Sequence, residues 1–274
     1  MSSQTQPLNE RMIFRQTDGK PGRNIAVTPA NSTMRHLCYG RILLGPENAA
    51  VSFATGERET ALLCLAGTAE VRAGSERFQL EKYDAIYVSR DTQLEVATGA
   101  RADLAEFSAE VDNRYPVQFV PYSAVSQDPA LSFRAGKPGD ERQLNVVVGK
   151  NVEAGRLMLG FTISQPGNWT SWPPHEHEKM LEEMYVFFDM PAPAFALQLV
   201  YRNTEYPESI VPVREGDAVM IPAGYHPNVA VPWHRVCFIW AMAAHREKED
   251  RQFGVVNVQP DFSQGGSGLE AARK

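Results

Sequence analysis

Short runs of apolar and β-branched residues, broken every few positions by Gly, Asp, Asn or Pro, recur along most of the chain. Between residues 47 and 110 they include "ETALLCLAG", "TAEVRAG", "RFQLEKYDAIYVSR" and "QLEVATGA". A second series between about 143 and 258 includes "QLNVVVG", "RLMLGFTIS", "EEMYVFFDM", "FALQLVYR", "DAVMIPAG", "RVCFIWAMA" and "FGVVNV". Runs of this length and spacing predict the strands of an all-β sandwich or barrel. Helical spacing is confined to "NSTMRHLCYGRILL" and "EHEKMLEEM", both short. Between the two series, residues 126–142, "SQDPALSFRAGKPGDER", are rich in Pro, Gly, Ser and charge and predict a linker. The last residues, "SQGGSGLEAARK", predict a frayed tail.

The two series echo one another. "EKYDAIYVSRDTQLEV" lies on "REGDAVMIPAGYHPNV" without a gap, which places Asp84 on Asp217, Val88 on Ile221 and Gln93 on His226. An acid before an apolar run also recurs, "ETALLCL" from Glu59 beside "EMYVFFD" from Glu183. Two echoes in the same order predict a duplicated β domain.

Composition narrows the class. Hydrophobic residues at 43% and interspersed charged residues at 22% describe a globular chain, not a disordered one. A net charge of -6 without a Lys/Arg cluster argues against a nucleic-acid partner. Cys38, Cys64 and Cys237 are odd in number and widely spaced, and they read as reduced core residues. Neither a signal-like N-terminus nor an apolar run of about 18 residues is present, so the expectation is a cytoplasmic protein with no membrane partner.

Five of the polar residues in the second series suggest chemistry. In a strand, His175 and His177 point to one face and Glu176 to the other, so the HxH pair supplies half a metal site. The next acids, Glu182 and Glu183, are adjacent and point to opposite faces, and periodicity alone leaves both open as the carboxylate ligand. His226 follows the tight corner "PAGYHP" at the re-entry to the sheet. Each motif alone is ordinary. HxH, an acid heading the next strand and a later PxGxH within one β region together suggest three imidazoles and a carboxylate around a divalent metal.

"HEHEKMLEE" followed by "GDAVMIPAGYH" resembles the two signature segments of cupins, jelly-roll-like β-barrels. More closely, "PGNWTSWPPHEHE", "LEEMY", "FALQLVY" and "VMIPAGYHP" resemble the 5-deoxyglucuronate isomerases of bacterial myo-inositol breakdown. That family shares a bicupin fold with the 4-deoxy-L-threo-5-hexosulose-uronate ketol-isomerases of pectin breakdown. The likeness covers most of residues 143–262. "RETALLCLAGTAEV" and "DAIYV" resemble the N-terminal cupin more loosely. The resemblance implies two tandem barrels, residues 1–133 without metal and residues 134–274 with the metal site.

Carried over residue by residue, the ligands are His175, His177, Glu183 and His226. Glu183 is preferred because "EMYVFFD" resembles the "ExYxYFD" strand of the pectin-pathway relatives. The short "EKML" segment and "FIWAM" also lean to the pectin side. The implied activity interconverts aldehyde and ketone on a small deoxy uronic acid, with one divalent transition metal, Zn favoured over Mn, Fe or Ni. Bicupins of this type often form homo-oligomers. Tyr185, sharing a face with Glu183, and Glu182, if the strand begins irregularly, are the candidate catalytic groups. Arg202, Arg156 and Lys179 are candidates for the substrate carboxylate.

Overall fold

The computed structural model describes residues 12–266. The first residues, read above for a signal, and the end of the expected tail from residue 267 lie outside the described residues. Two six- and seven-stranded sheets each face a four-stranded sheet of their own half. The first large sheet runs Gln118–Val120, Ala85–Val88, Arg58–Gly67, Ala102–Glu110, Cys38–Leu44, Gly22–Val27. The second runs Ile13–Phe14, Ala218–Ile221, Leu181–Phe187, Cys237–Ala244, Leu157–Ser164, Arg142–Val148, Ser132–Ala135. This is the tandem-barrel, all-β architecture expected from the sequence.

Burial explains the two kinds of strand pattern. In the small sheets, strands such as Ala69–Ala73 and Ser209–Val213 alternate buried and exposed residues because one face meets solvent. Leu181–Phe187 and Cys237–Ala244 are buried at every position. One face lines the second barrel while the other packs on the first, so both faces read apolar. Ile42, Leu62, Ile86, Leu104, Val71 and Val96 fill the first barrel. The alternate residues Leu63, Tyr87 and Phe107 join Met184, Val186 and Phe188 in the core between the large sheets.

The duplication is visible in register. Thr60 pairs with Val88 as Glu183 pairs with Ile221. Asp84 accepts from the backbone N–H of Glu81 and Tyr122, and Asp217 does so from Arg214 and Gln16. The first half also lends a strand to the second, Ile13–Phe14 pairing with Ala218–Ile221, while Gln118–Val120 takes the equivalent place beside Ala85–Val88 in the first sheet. The second echo is shifted by one residue from the sequence reading. Register equates Glu59 with Glu182, each opposite an alanine, Ala109 or Ala243, and puts Thr60 in the place of Glu183.

Three local expectations change. "NSTMRHLCYGRILL" contains the strand Cys38–Leu44, because sheet partners on both sides satisfy its backbone. "EHEKMLEEM" is a turn and then a strand for the same reason. The expected linker contains the strand Ser132–Ala135, an edge of the second sheet. No helix among the described residues is long and apolar enough to cross a membrane.

Candidate active site

Three elements deliver the predicted ligand residues into the second barrel. His175 lies in the two-residue strand His175–Glu176, held by Asn257–Val258, and His177 follows it just before a turn. Glu183 points inward from Leu181–Phe187. His226 follows Gly224, whose φ of 90° and closeness to the Tyr201 carbonyl, 2.9 Å from where a Cβ would sit, require glycine. Buried Gln198 donates to the His226 and Pro227 carbonyls at 3.0 and 3.3 Å and fixes that corner.

All four side chains are buried. Each imidazole turns Nδ1 toward a backbone carbonyl: His175 to Pro173 at 2.8 Å, His177 to Leu181 at 3.3 Å, His226 to Gly224 at 2.9 Å. A carbonyl there demands N–H, which leaves Nε2 as the nitrogen offered to the barrel interior. His177 Nε2 and His226 Nε2 lie 3.1 and 3.0 Å from the same Glu183 oxygen. Beyond that Glu183 contact, His226 Nε2 makes no hydrogen bond among the described residues. Ligand atoms of His177, Glu183 and His226 all fall within 4.8 Å of one another. The His175 ring stands beside them, its centroid 5.0 Å from that of His226. Lone pairs and a carboxylate converging in a buried space fit a divalent transition metal.

Electrostatics agree with that reading. Burial would raise the Glu183 carboxyl, but His177 and His226 outweigh it and hold its pKa at about 2. Burial and neighbouring His226 push His175 down to about 3. His177 resists its own desolvation through Glu183, and its pKa rises. In metal-free protein, therefore, His175 is neutral when folded yet takes a proton below about 6.5 when unfolded, and stability falls with pH from about 6.5 to about 3. His177 works in the opposite direction: its contribution is present below about pH 6.5 and is lost as pH rises through its raised value. Glu183 contributes above pH 4.5 and loses that contribution as pH falls toward 2. Chelator-treated wild type should therefore lose up to about 1.4 kcal/mol per pH unit below 6.5 relative to His175→Gln, by urea unfolding.

Tyr185 lies two residues from Glu183 on the same face, and its hydroxyl is 2.6 Å from Ser171 Oγ. Burial and the Glu183 charge raise its pKa far above the usual phenol value, so it is a neutral hydrogen-bond donor. Glu182 does not reach this cavity, contrary to its expected place among catalytic groups. The strand begins regularly, and Glu182 faces the first barrel, accepting the backbone N–H of Arg35, His36 and Leu37 at 2.6, 2.8 and 2.7 Å. Glu59 mirrors it, accepting Gly155, Arg156 and Leu157 at 2.7, 2.6 and 2.7 Å.

The cavity beside His175, Glu183 and Tyr185 is walled by Arg142, Thr162, Phe238, Trp240, Met242 and Phe253. None of the expected carboxylate-binding cations is among them. Arg202 is exposed and pairs with Glu178 and Glu208, Arg156 donates to the Glu110, Ala244 and His245 carbonyls, and Lys179 is exposed. Arg142, Ser171 and Trp240 escaped the sequence reading. Arg142 opens the strand "RQLNVVV", and a single arginine before an apolar run carries no signal of where it points.

The chain is 26% identical over 253 residues to a 5-deoxy-glucuronate isomerase of Geobacillus thermodenitrificans, covering 86% of this chain and 90% of the relative. It is 29% identical over 197 residues to a 4-deoxy-L-threo-5-hexosulose-uronate ketol-isomerase of Caldicellulosiruptor bescii, covering 69% and 68%. An IolB-like protein from Salmonella typhimurium LT2 shares its fold, with a TM-score of 0.81 at 21% identity over 92% of this chain and 98% of the other. The family model described as KduI/IolB matches residues 12–258, from the strand lent by the first half to the strand that holds His175, and the chain belongs to the KduI/IolB family.

Proposed function

We propose that this protein is a metal-dependent aldose-ketose isomerase that converts 5-deoxy-D-glucuronate to 2-deoxy-5-keto-D-gluconate. Family membership over residues 12–258 carries the isomerase reading. The converging His177, Glu183 and His226, with His175 beside them, support the metal, and resemblance to the pectin-pathway isomerases favours zinc as its identity. Three unpaired buried cysteines are consistent with a cytoplasmic setting.

The reaction moves a proton between neighbouring carbons through an enediol, and negative charge develops on the oxygens. His175, His177, Glu183 and His226 would hold a divalent metal, which would supply a Lewis acid for that charge. Neutral Tyr185, linked to Ser171, donates to a substrate oxygen from the same wall and steadies it as charge grows. Phe238, Trp240, Met242 and Phe253 keep water from the reacting carbons. Glu182, tied to backbone outside the cavity, takes no part in proton transfer.

A second substrate, 4-deoxy-L-threo-5-hexosulose uronate, is favoured by the four-residue "EKML" segment and by the 29%-identical relative. Assaying both compounds side by side decides between them. Turnover of the first in preference is expected, and turnover of neither by metal-loaded protein would remove the isomerase reading.

A further inference from the structure

Arg142 and Trp240 stand out among the cavity walls, because beside the hydroxyls of Thr162, Ser171 and Tyr185 they bring a guanidinium and an indole N–H. Arg142 is 4% exposed, a costly place for a permanent charge unless it has work there. Its guanidinium is braced from behind: Nη1 donates to the Asp140 carbonyl at 2.9 Å and Asp140 Oδ2 at 3.1 Å, and Nη2 to the Trp172 carbonyl at 2.5 Å.

Trp240 carries the second sign. Its indole Nε1 is buried and has no hydrogen-bond partner among the described residues. The ring is nevertheless placed with care. It stacks on Phe253, centroids 4.9 Å apart at 16°, and lies over Gly160, where a Cβ would come within 2.1 Å of Trp240 Cζ2. A glycine that admits the indole, and a buried N–H left unmatched, suit a site whose acceptor arrives with the ligand.

We infer that Arg142 and Trp240 Nε1, which line the same cavity as His175, Glu183 and Tyr185, form the subsite for the substrate's carboxylate. This inference rests on the proposed isomerase function and specifies how it selects acids. A planar guanidinium matches a carboxylate, and the indole N–H adds a donor to it. With the acid anchored there, the open-chain sugar extends toward Tyr185 and Glu183, and the carbonyl end reaches the metal residues. Arg142 and Trp240 are thus specificity-determining residues, while Tyr185 faces the reacting atoms.

The test compares binding of D-glucuronate with that of D-glucuronamide, the same skeleton without the charge, by calorimetry on zinc-loaded protein. Wild type should prefer the acid on the order of 10²-fold. Arg142→Gln should lose that preference with metal content unchanged, and Trp240→Phe, which keeps an aromatic ring against Phe253, should lose part of it. Equal binding of acid and amide by wild type would overturn the inference, as would a preference that survives Arg142→Gln, because the carboxylate would then be bound elsewhere. If Arg142→Gln does not fold, the wild-type and Trp240→Phe measurements decide: an unchanged preference in Trp240→Phe counts against the subsite, and a reduced one supports it. Binding is read without turnover. A charge preference without isomerisation would therefore sink the functional reading alone, and isomerisation without the preference would sink the subsite alone.

Discussion

His226→Ala is expected to abolish isomerisation and to remove the metal, because His226 offers a bare Nε2 to Glu183 and has no other partner for it. Loss of Lewis-acid stabilisation corresponds to several kcal/mol, on the order of a 10³-fold fall in kcat. The same change removes a fully buried ring that bonds the Gly224 carbonyl and supports the Glu183 charge, so the metal-free variant should unfold more easily than metal-free wild type, by about 1–3 kcal/mol. Elemental analysis, a kcat measurement and a urea titration in chelator check the three parts. A variant that binds metal normally and turns over at the wild-type rate would exclude His226 as a ligand.

Glu182→Ala should be the most destabilising single change near the site, by on the order of 3–5 kcal/mol, although it touches nothing in the cavity. The carboxylate gathers three backbone N–H groups at the entry to the strand Cys38–Leu44, and truncation leaves them unmatched at the seam between the barrels. Glu59→Ala should cost a similar amount, because Glu59 holds the equivalent segment of the other half and also accepts from Tyr87 at 2.6 Å. The two acids clasp the halves reciprocally. Glu182→Gln should retain catalysis below its lowered melting temperature. Full stability with lost turnover in that variant would instead make Glu182 a catalytic group.

These acids also mark the limit of the sequence reading. Alternation places Glu182 and Glu183 on opposite faces, but Leu181–Phe187 is buried on both, so no polar face reveals which side is inward. The choice is made by register, where Glu183 pairs with Ile221 and Met242, and by the backbone donors that wait for Glu182. Resemblance to a family's strand motif identified the inward acid. The internal echo was legible at Asp84 and Asp217, which make matching turn contacts. At Glu59 it was misread by one residue, because both halves begin that strand with an acid and only one half follows it with a second. Arg142 and Trp240 come from strands far apart in sequence, and their lining of one cavity depends on sheet order, which no local pattern encodes.

His175, His177 and His226 were legible for a different reason. Their spacing reflects local geometry: each ring is oriented by a carbonyl two to four residues away, so the motif carries its own support. Among the described residues of the first half no such set converges. Thr60 occupies the position of Glu183, Gln93 aligns with His226 in sequence, and the barrel interior is filled by apolar side chains. That half contributes a strand, a packing face and the donors for Glu182.

The most direct measurement is a titration of chelator-stripped protein with zinc while isomerisation of 5-deoxy-D-glucuronate is followed. The account predicts negligible turnover at zero metal, a rise in proportion to added zinc and a plateau at about one equivalent per chain. Full turnover by protein shown to be metal-free would contradict it.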